Sequence, residues 1–115
     1  MKTDLPDRTF AFAKRIVKLS QTLEELHGVP QSLSRQLIRS GMSVGANVEE
    51  GQGSQSRKDF RLKYNIPCKE ARETLYWLRL LAETEIVPHD RLQPMMDECN
   101  ELVAILTSIV KKLRD

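Results

Sequence analysis

The sequence has only two cysteines and two histidines among its 115 residues. Cys68 and Cys99 do not form a Cys-x-x-Cys pair, and two cysteines are too few for the disulfide framework of a small secreted protein. We therefore predict two buried thiols. His27 and His89 lie at presumed helix ends, where a cap or a solvent-exposed side chain is more typical than a catalytic group. Neither a metal nor a cofactor is expected.

Long apolar segments are also missing, and glycine is scarce. No apolar run approaches the about 20 residues that a membrane-spanning helix needs, and the polar start from Met1 to Pro6 does not fit a secretory signal. Five glycines, 40% hydrophobic residues and 30% charged residues are typical of a globular, helix-rich protein. We therefore expect a cytoplasmic protein with a single domain over residues 1–115.

What the sequence does contain is apolar residues at helical spacing, interrupted by turn signals. These signals divide the chain into four predicted helices, from Asp4 or Asp7 to Gly28, from Pro30 to about Glu50, from about Arg57 to Ala82, and after the turn at 87–90. Four helices with short connections predict an all-α fold, an up-down-up-down left-handed four-helix bundle.

The apolar residues that recur at three- and four-residue steps form the predicted core. Its members are Phe12, Ile16, Leu19, Leu23 and Leu26 in the first helix, Leu33, Leu37, Val44 and Val48 in the second, Phe60, Tyr64, Ala71, Leu75 and Leu78 in the third, and Leu92, Met95, Met96, Cys99, Leu102, Val103, Leu106, Ile109, Val110 and Leu113 in the fourth.

Glycines and a capping pattern mark the second and third helices. Gly41 and Gly45 lie close to the apolar stripe, where a missing side chain lets a neighbouring helix approach. Gly51 is interpreted as a left-handed cap that ends the second helix. Ser56, followed three residues later by Asp59, is typical of a capping box and predicts the start of the third helix.

The same region carries a polar motif that helical periodicity does not require. The run Ser43-Val44-Gly45-Ala46-Asn47-Val48-Glu49-Glu50-Gly51 contains Ser43, Asn47, Glu50 and Gly51 at Ser-x-x-x-Asn-x-x-Glu-Gly spacing. Further motif positions lie on both sides of it, at Gln36–Ser40, Phe60 and Glu73. This pattern resembles the four helix bundle proteins, also called 23S rRNA intervening-sequence proteins, and the related accessory proteins of diversity-generating retroelements. The resemblance implies a homopentamer, formed through the bundle sides, that binds nucleic acid or a nucleic-acid enzyme.

The third helix carries a second apolar stripe, formed by Leu62, Ile66, Trp77 and Leu80. It lies more than a quarter turn from the core stripe and would face water in a lone bundle. The resemblance favours an interface between subunits. The alternative is that a kink at Pro67, which lacks a backbone hydrogen-bond donor, rotates the stripe into the core.

One face of the same helix is basic, although the net charge of the chain is only +2. Its members are Arg57, Lys58, Arg61, Lys69, Arg72 and Arg79. Clustered cations neutralise phosphates and release counterions, so we predict that this face binds nucleic acid without recognising its bases. The predicted site contains all of these residues except Arg79. The alternative is a solvated face on a protein-interaction module that binds no nucleic acid.

Four carboxylates allow an enzymatic alternative, a magnesium-dependent nucleotide hydrolase. They are Glu49, Glu50, Glu70 and Glu73. Their spacing is not specific to a metal site, because Glu50 and Glu73 can equally bond helix ends or pair with Arg39 and Arg72. We therefore predict no enzymatic activity.

Overall fold

The computed structural model describes residues 4–114, which form four α-helices joined by short turns. The helices are α1 (Leu5–Glu24), α2 (Val29–Gln52), α3 (Arg57–Glu83) and α4 (His89–Lys112). No strand occurs in this part of the chain. The all-α prediction is confirmed, with helix bounds that agree within a few residues. Residues 1–3 and 115 of the predicted domain lie outside the described part.

Consecutive helices run antiparallel, as shown by contacts that join the beginning of one helix to the end of its neighbour. Hydrogen bonds pair Ser34 with the Ser20 carbonyl, Gln52 with Tyr64, and Arg57 with the Lys112 carbonyl. The bundle measures 46 × 20 × 19 Å. The up-down-up-down topology is therefore confirmed, and its left-handed twist stays a prediction.

At the start of α3, Ser56 caps the helix as predicted, whereas the Asp59 carboxylate bonds the N–H of Gln55 and not the N–H of Ser56 that a capping box would require. The Asp59 N–H donates to Ser56 Oγ at 3.0 Å, and the Gln55 N–H donates to Asp59 Oδ2 at 3.1 Å. The second bond favours the ionised carboxylate and lowers the pKa of Asp59. Because both bonds satisfy N–H groups at or just before the first turn, the third helix begins where the sequence predicts.

The core is built from all four helices. The large side chains that are fully buried include Phe12, Ile16, Leu23, Leu37, Tyr64, Leu78, Leu102 and Leu106. Cys68 and Cys99 are buried free thiols, as predicted, and burial raises the pKa of the Cys99 thiol to about 12. The prediction for Leu26 is wrong. This residue is exposed because α1 ends at Glu24 and Leu26 falls in the following turn.

Glycines let α2 pack closely against α1. A Cβ on Gly41 would lie 2.9 Å from the Ile16 side chain, and one on Gly45 would lie 3.2 Å from the Thr9 carbonyl oxygen. Both distances are shorter than ordinary carbon contacts, so a side chain at either position would push α1 away. The predicted tight helix contact is confirmed, and the helix that makes it is α1.

The interpretation of Gly51 as a left-handed cap is wrong. Gly51 lies inside the last turn of α2, and the residue that caps this helix is Gly53, whose φ is −88°. A Cβ on Gly51 would lie 2.1 Å from Cε1 of Tyr64. Glycine is therefore needed at position 51 to make room for an aromatic ring from α3.

The described residues contain no helix with both the length and the apolar content that crossing a membrane requires.

Candidate nucleic-acid interface

The five cations of the predicted nucleic-acid site, Arg57, Lys58, Arg61, Lys69 and Arg72, lie along one side of α3 and are at least partly exposed. Two of them also contact α4, since the Arg57 guanidinium donates to the Lys112 carbonyl at 2.6 Å and the Arg72 guanidinium donates to Thr107 Oγ1 at 3.3 Å. The basic face therefore borders the seam between α3 and α4.

None of these five cations forms an ion pair within residues 4–114. The basic residues that do form ion pairs are Arg8, Arg39, Lys63 and Arg79. Arg79, the sixth member of the predicted basic face, lies 3.9 Å from the Glu83 carboxylate and is partly neutralised. The remaining five retain uncompensated positive charge that an anionic partner could neutralise.

The fold adds cations that the sequence analysis did not include. Lys111, Lys112 and Arg114 are exposed at the end of α4. They come near Arg57 because α3 and α4 run antiparallel, as the bond to the Lys112 carbonyl shows. The sequence does show basic residues at the end of the fourth helix and at the start of the third. Only the antiparallel packing of these two helices shows that the two groups lie together.

The second apolar stripe of α3 divides into two parts. Leu62 is 52% exposed and Ile66 is 47% exposed, whereas Trp77 and Leu80 are half-buried and Trp77 packs against the core. Pro67 is buried and lies in the middle of α3, which is one continuous helix over Arg57–Glu83. The proline therefore does not bring Leu62 and Ile66 into the core.

A polar network holds Trp77 beside α2. Its indole Nε1 donates to Glu73 Oε2 at 2.9 Å, and the same carboxylate pairs with Arg39. Arg39 Nη1 also donates to Glu70 Oε2 at 3.5 Å, so the guanidinium, which has only donors, is shared by both carboxylates. Glu73 thereby links α2 to α3 and also accepts the hydrogen bond of the Trp77 indole N–H.

The polar motif of α2 forms local contacts. Asn47 Nδ2 donates to both the carbonyl oxygen and Oγ of Ser43, each at 2.8 Å. Glu50 is exposed, and Gly51 accommodates Tyr64. These contacts support a structural role for Ser43, Asn47 and Gly51 and leave the Glu50 carboxylate facing solvent.

The four carboxylates of the enzymatic alternative are not brought together. Glu70 and Glu73 pair with Arg39, and Glu49 lines a groove between α1 and α2. Among the residues from 4 to 114, no three His, Cys, Asp or Glu side chains are grouped as a metal site would require. Pairing with arginine explains the placement of Glu70 and Glu73.

Comparisons with known proteins agree with this architecture. The family model for 23S rRNA-intervening sequence proteins matches residues 2–108. Among solved structures, the chain is similar to a protein of unknown function from the S23 ribosomal protein family of Bacteroides thetaiotaomicron, with 41% sequence identity and a TM-score of 0.84. The similarity covers 93% of this chain and 98% of that one. No curated protein matches the chain.

Proposed function

Because the chain belongs to the 23S rRNA-intervening sequence protein family, we propose that it is a non-catalytic helical scaffold that binds nucleic acid through the basic face of α3. The observation that supports this proposal is a row of five cations that are at least partly exposed and form no ion pair in the described residues, namely Arg57, Lys58, Arg61, Lys69 and Arg72. Each such cation that meets a phosphate releases condensed counterions, which makes binding favourable and dependent on salt.

The form of the basic face favours recognition of the phosphate backbone rather than of bases. From Arg57 to Arg72 the face extends about 22 Å along α3, at about 1.5 Å per residue. Arginine and lysine at these positions can contact successive phosphates, and such contacts carry no sequence information. Since the family description names an RNA, RNA is the first ligand to test, with DNA and a nucleic-acid-associated protein as the other candidate partners.

Self-association is the second part of the proposal. Leu62 and Ile66 expose apolar surface, and Trp77 and Leu80 continue the same side of α3. A homo-oligomer, a pentamer by resemblance to the family, would cover this surface and present several basic faces together. Weak contacts made by each face would then act jointly and raise the overall affinity.

The nucleic-acid part is tested by changing Arg57, Lys58 and Arg61 together to Gln and measuring binding to RNA and DNA of mixed sequence at several salt concentrations. We expect the slope of log affinity against log salt to fall by about 2 for single strands, since each lost phosphate contact contributes about 0.7. Affinity at low salt should fall on the order of tenfold or more.

A matched control replaces Arg15, Lys18 and Arg91 with Gln. These exposed residues line one groove between α1 and α4, so the control removes the same charge from another surface. This control should keep most of the affinity and of the salt slope of the parent. An equal loss in both triple variants, or a parent that binds neither RNA nor DNA, would contradict the proposed site and favour a protein-interaction module instead.

A further inference from the structure

A second apolar surface lies between α1 and α2, on the other side of α2 from the stripe of α3. It is a groove of about 300 Å³, lined by Pro6, Phe10, Ala13, Met42, Gly45, Ala46 and Glu49. Phe10 is 62% exposed and Met42 is 44% exposed. Large side chains that are this exposed and adjacent are unusual on a surface that only water covers.

The charges around this groove are of two kinds. Glu49 is exposed at its edge and forms no ion pair within residues 4–114. Lys14 lies with its Nζ 5.5 Å from the centre of the Phe10 ring. The groove therefore combines an apolar floor with one carboxylate that is free to pair with a cation from another molecule.

The stripe of α3 has the complementary properties. Ile66 and Lys69 are three residues apart and so lie on neighbouring positions of one helix face. Lys69 is exposed, forms no ion pair in the described residues, and is at the edge of the basic face nearest to the stripe. An apolar ridge with an unpaired cation at its edge thus matches an apolar groove in whose lining the charged residue is Glu49, an unpaired anion.

The two surfaces also lie at the same level along the bundle. The bond of Gln52 to Tyr64 and the bond of Thr74 to Ser40 place residues 42–49 of α2 beside residues 65–73 of α3. Ile66 and Lys69 are therefore level with the groove. Copies placed side by side, and rotated about an axis parallel to the helices, would bring the stripe of one copy to the groove of the next.

We propose that the α3 stripe of one copy docks in the α1–α2 groove of a second copy, with Lys69 facing Glu49. In the assembly, Arg57, Lys58, Arg61 and Arg72 then remain for nucleic acid. This inference rests on the self-association proposed above and adds the receiving surface. Because the contact joins two different surfaces, each copy at the end of an open chain keeps one surface uncovered. Both surfaces of every copy are therefore covered only when the copies close into a ring.

Two single variants and their mixture test the pairing by light scattering after gel filtration. Phe10→Asp should block the groove and Ile66→Asp should block the stripe, so each variant alone should be monomeric. When the two variants are mixed, the intact stripe of Phe10→Asp can dock in the intact groove of Ile66→Asp. The mixture should therefore form a 1:1 pair and nothing larger, because neither variant has a second intact surface. Val29→Asp, at another exposed apolar residue, is the control and should assemble like the parent.

The outcomes separate this inference from the proposed self-association. If Ile66→Asp is monomeric while Phe10→Asp still assembles, the stripe contacts another surface and the groove is not its partner. A mixture that stays monomeric also contradicts the pairing. A monomeric parent overturns self-association itself. Circular dichroism and thermal melting should show that both variants keep the helical fold.

A charge exchange gives a second test that does not alter the apolar residues. Glu49→Lys and Lys69→Glu should each weaken assembly at low salt, because each places like charges at the contact. The double variant should recover assembly to near the parent level. Failure of the double variant to recover, with both single variants weakened, would overturn the proposed Lys69 to Glu49 contact.

Discussion

At the scale of single residues, the space around Gly51 decides how closely α2 and α3 pack. The Tyr64 ring occupies the position where a Cβ would project, and the Tyr64 hydroxyl accepts a hydrogen bond from Gln52 at 2.5 Å. Phe60 stacks on the same ring with centroids 4.1 Å apart. Because the ring is held on both sides, it cannot move aside without losing packing.

Gly51→Ala should therefore lower the free energy of unfolding by about 2 kcal/mol, and Gly51→Val by more, since overpacking a rigid core forces side chains from their preferred rotamers. Urea denaturation measures the effect. Gly53→Ala is the control, because a Cβ there meets only the Glu50 carbonyl oxygen at 3.6 Å and the backbone φ of −88° suits alanine. Similar losses in both variants would contradict the packing role of Gly51.

At the scale of elements, α3 has three different faces. Tyr64 and Leu78 face the core, the basic face borders α4, and Leu62 and Ile66 remain exposed. The cap formed by Ser56 and Asp59 is the local feature that fixes where this helix begins.

Ser56→Ala removes the side-chain acceptor of the Asp59 N–H and should lower the free energy of unfolding by about 1 kcal/mol. Hydrogen exchange should be faster in the first turn of α3 than in the parent. The matched control is Ser32→Ala in the first part of α2, where the serine is exposed and alanine is the better helix former. This control should be neutral or slightly more stable, and equal destabilisation by both changes would argue against the cap.

At the scale of the whole molecule, the four helices are not held together equally. α1 and α4 approach each other less closely than the three pairs of consecutive helices do. Their side chains are joined by Arg8, whose Nε donates to Glu98 Oε2 at 3.1 Å and whose second nitrogen donates to Oε1 at 2.5 Å. The bond to Glu98 raises the pKa of Arg8, a guanidinium that is charged throughout the physiological pH range in any case.

Arg8→Ala should lower the free energy of unfolding by about 1 kcal/mol, because both charges are only partly exposed and the pair is bidentate. Hydrogen exchange should increase in α1 more than in α3. Arg79→Ala is the control, since its ion pair with Glu83 is exposed and lies within one helix. A loss of protection that is uniform over all four helices would contradict this role for Arg8.

Much of the fold follows from local chemistry that can be read along the chain. Apolar periodicity predicts four helices, and the pairing of Ser56 with Asp59 predicts where α3 begins. The two cysteines are buried because each lies on an apolar helix face. The basic face follows from periodicity as well, since it concerns residues of a single helix. Each of these features depends on residues within a single helix or turn, which is why the sequence predicts it.

The tertiary structure decided what depends on residues far apart in the sequence. Gly51 resembles a cap until Tyr64, from the next helix, is placed against it. The extension of the basic surface by α4 requires the antiparallel packing of α3 and α4. The groove at Phe10 requires the close approach of α1 and α2. That Arg57, Lys58, Arg61, Lys69 and Arg72 form no ion pair within residues 4–114 is known only once all four helices are placed. Periodicity specifies the direction in which a side chain faces within its helix, whereas only packing specifies which side chain it meets.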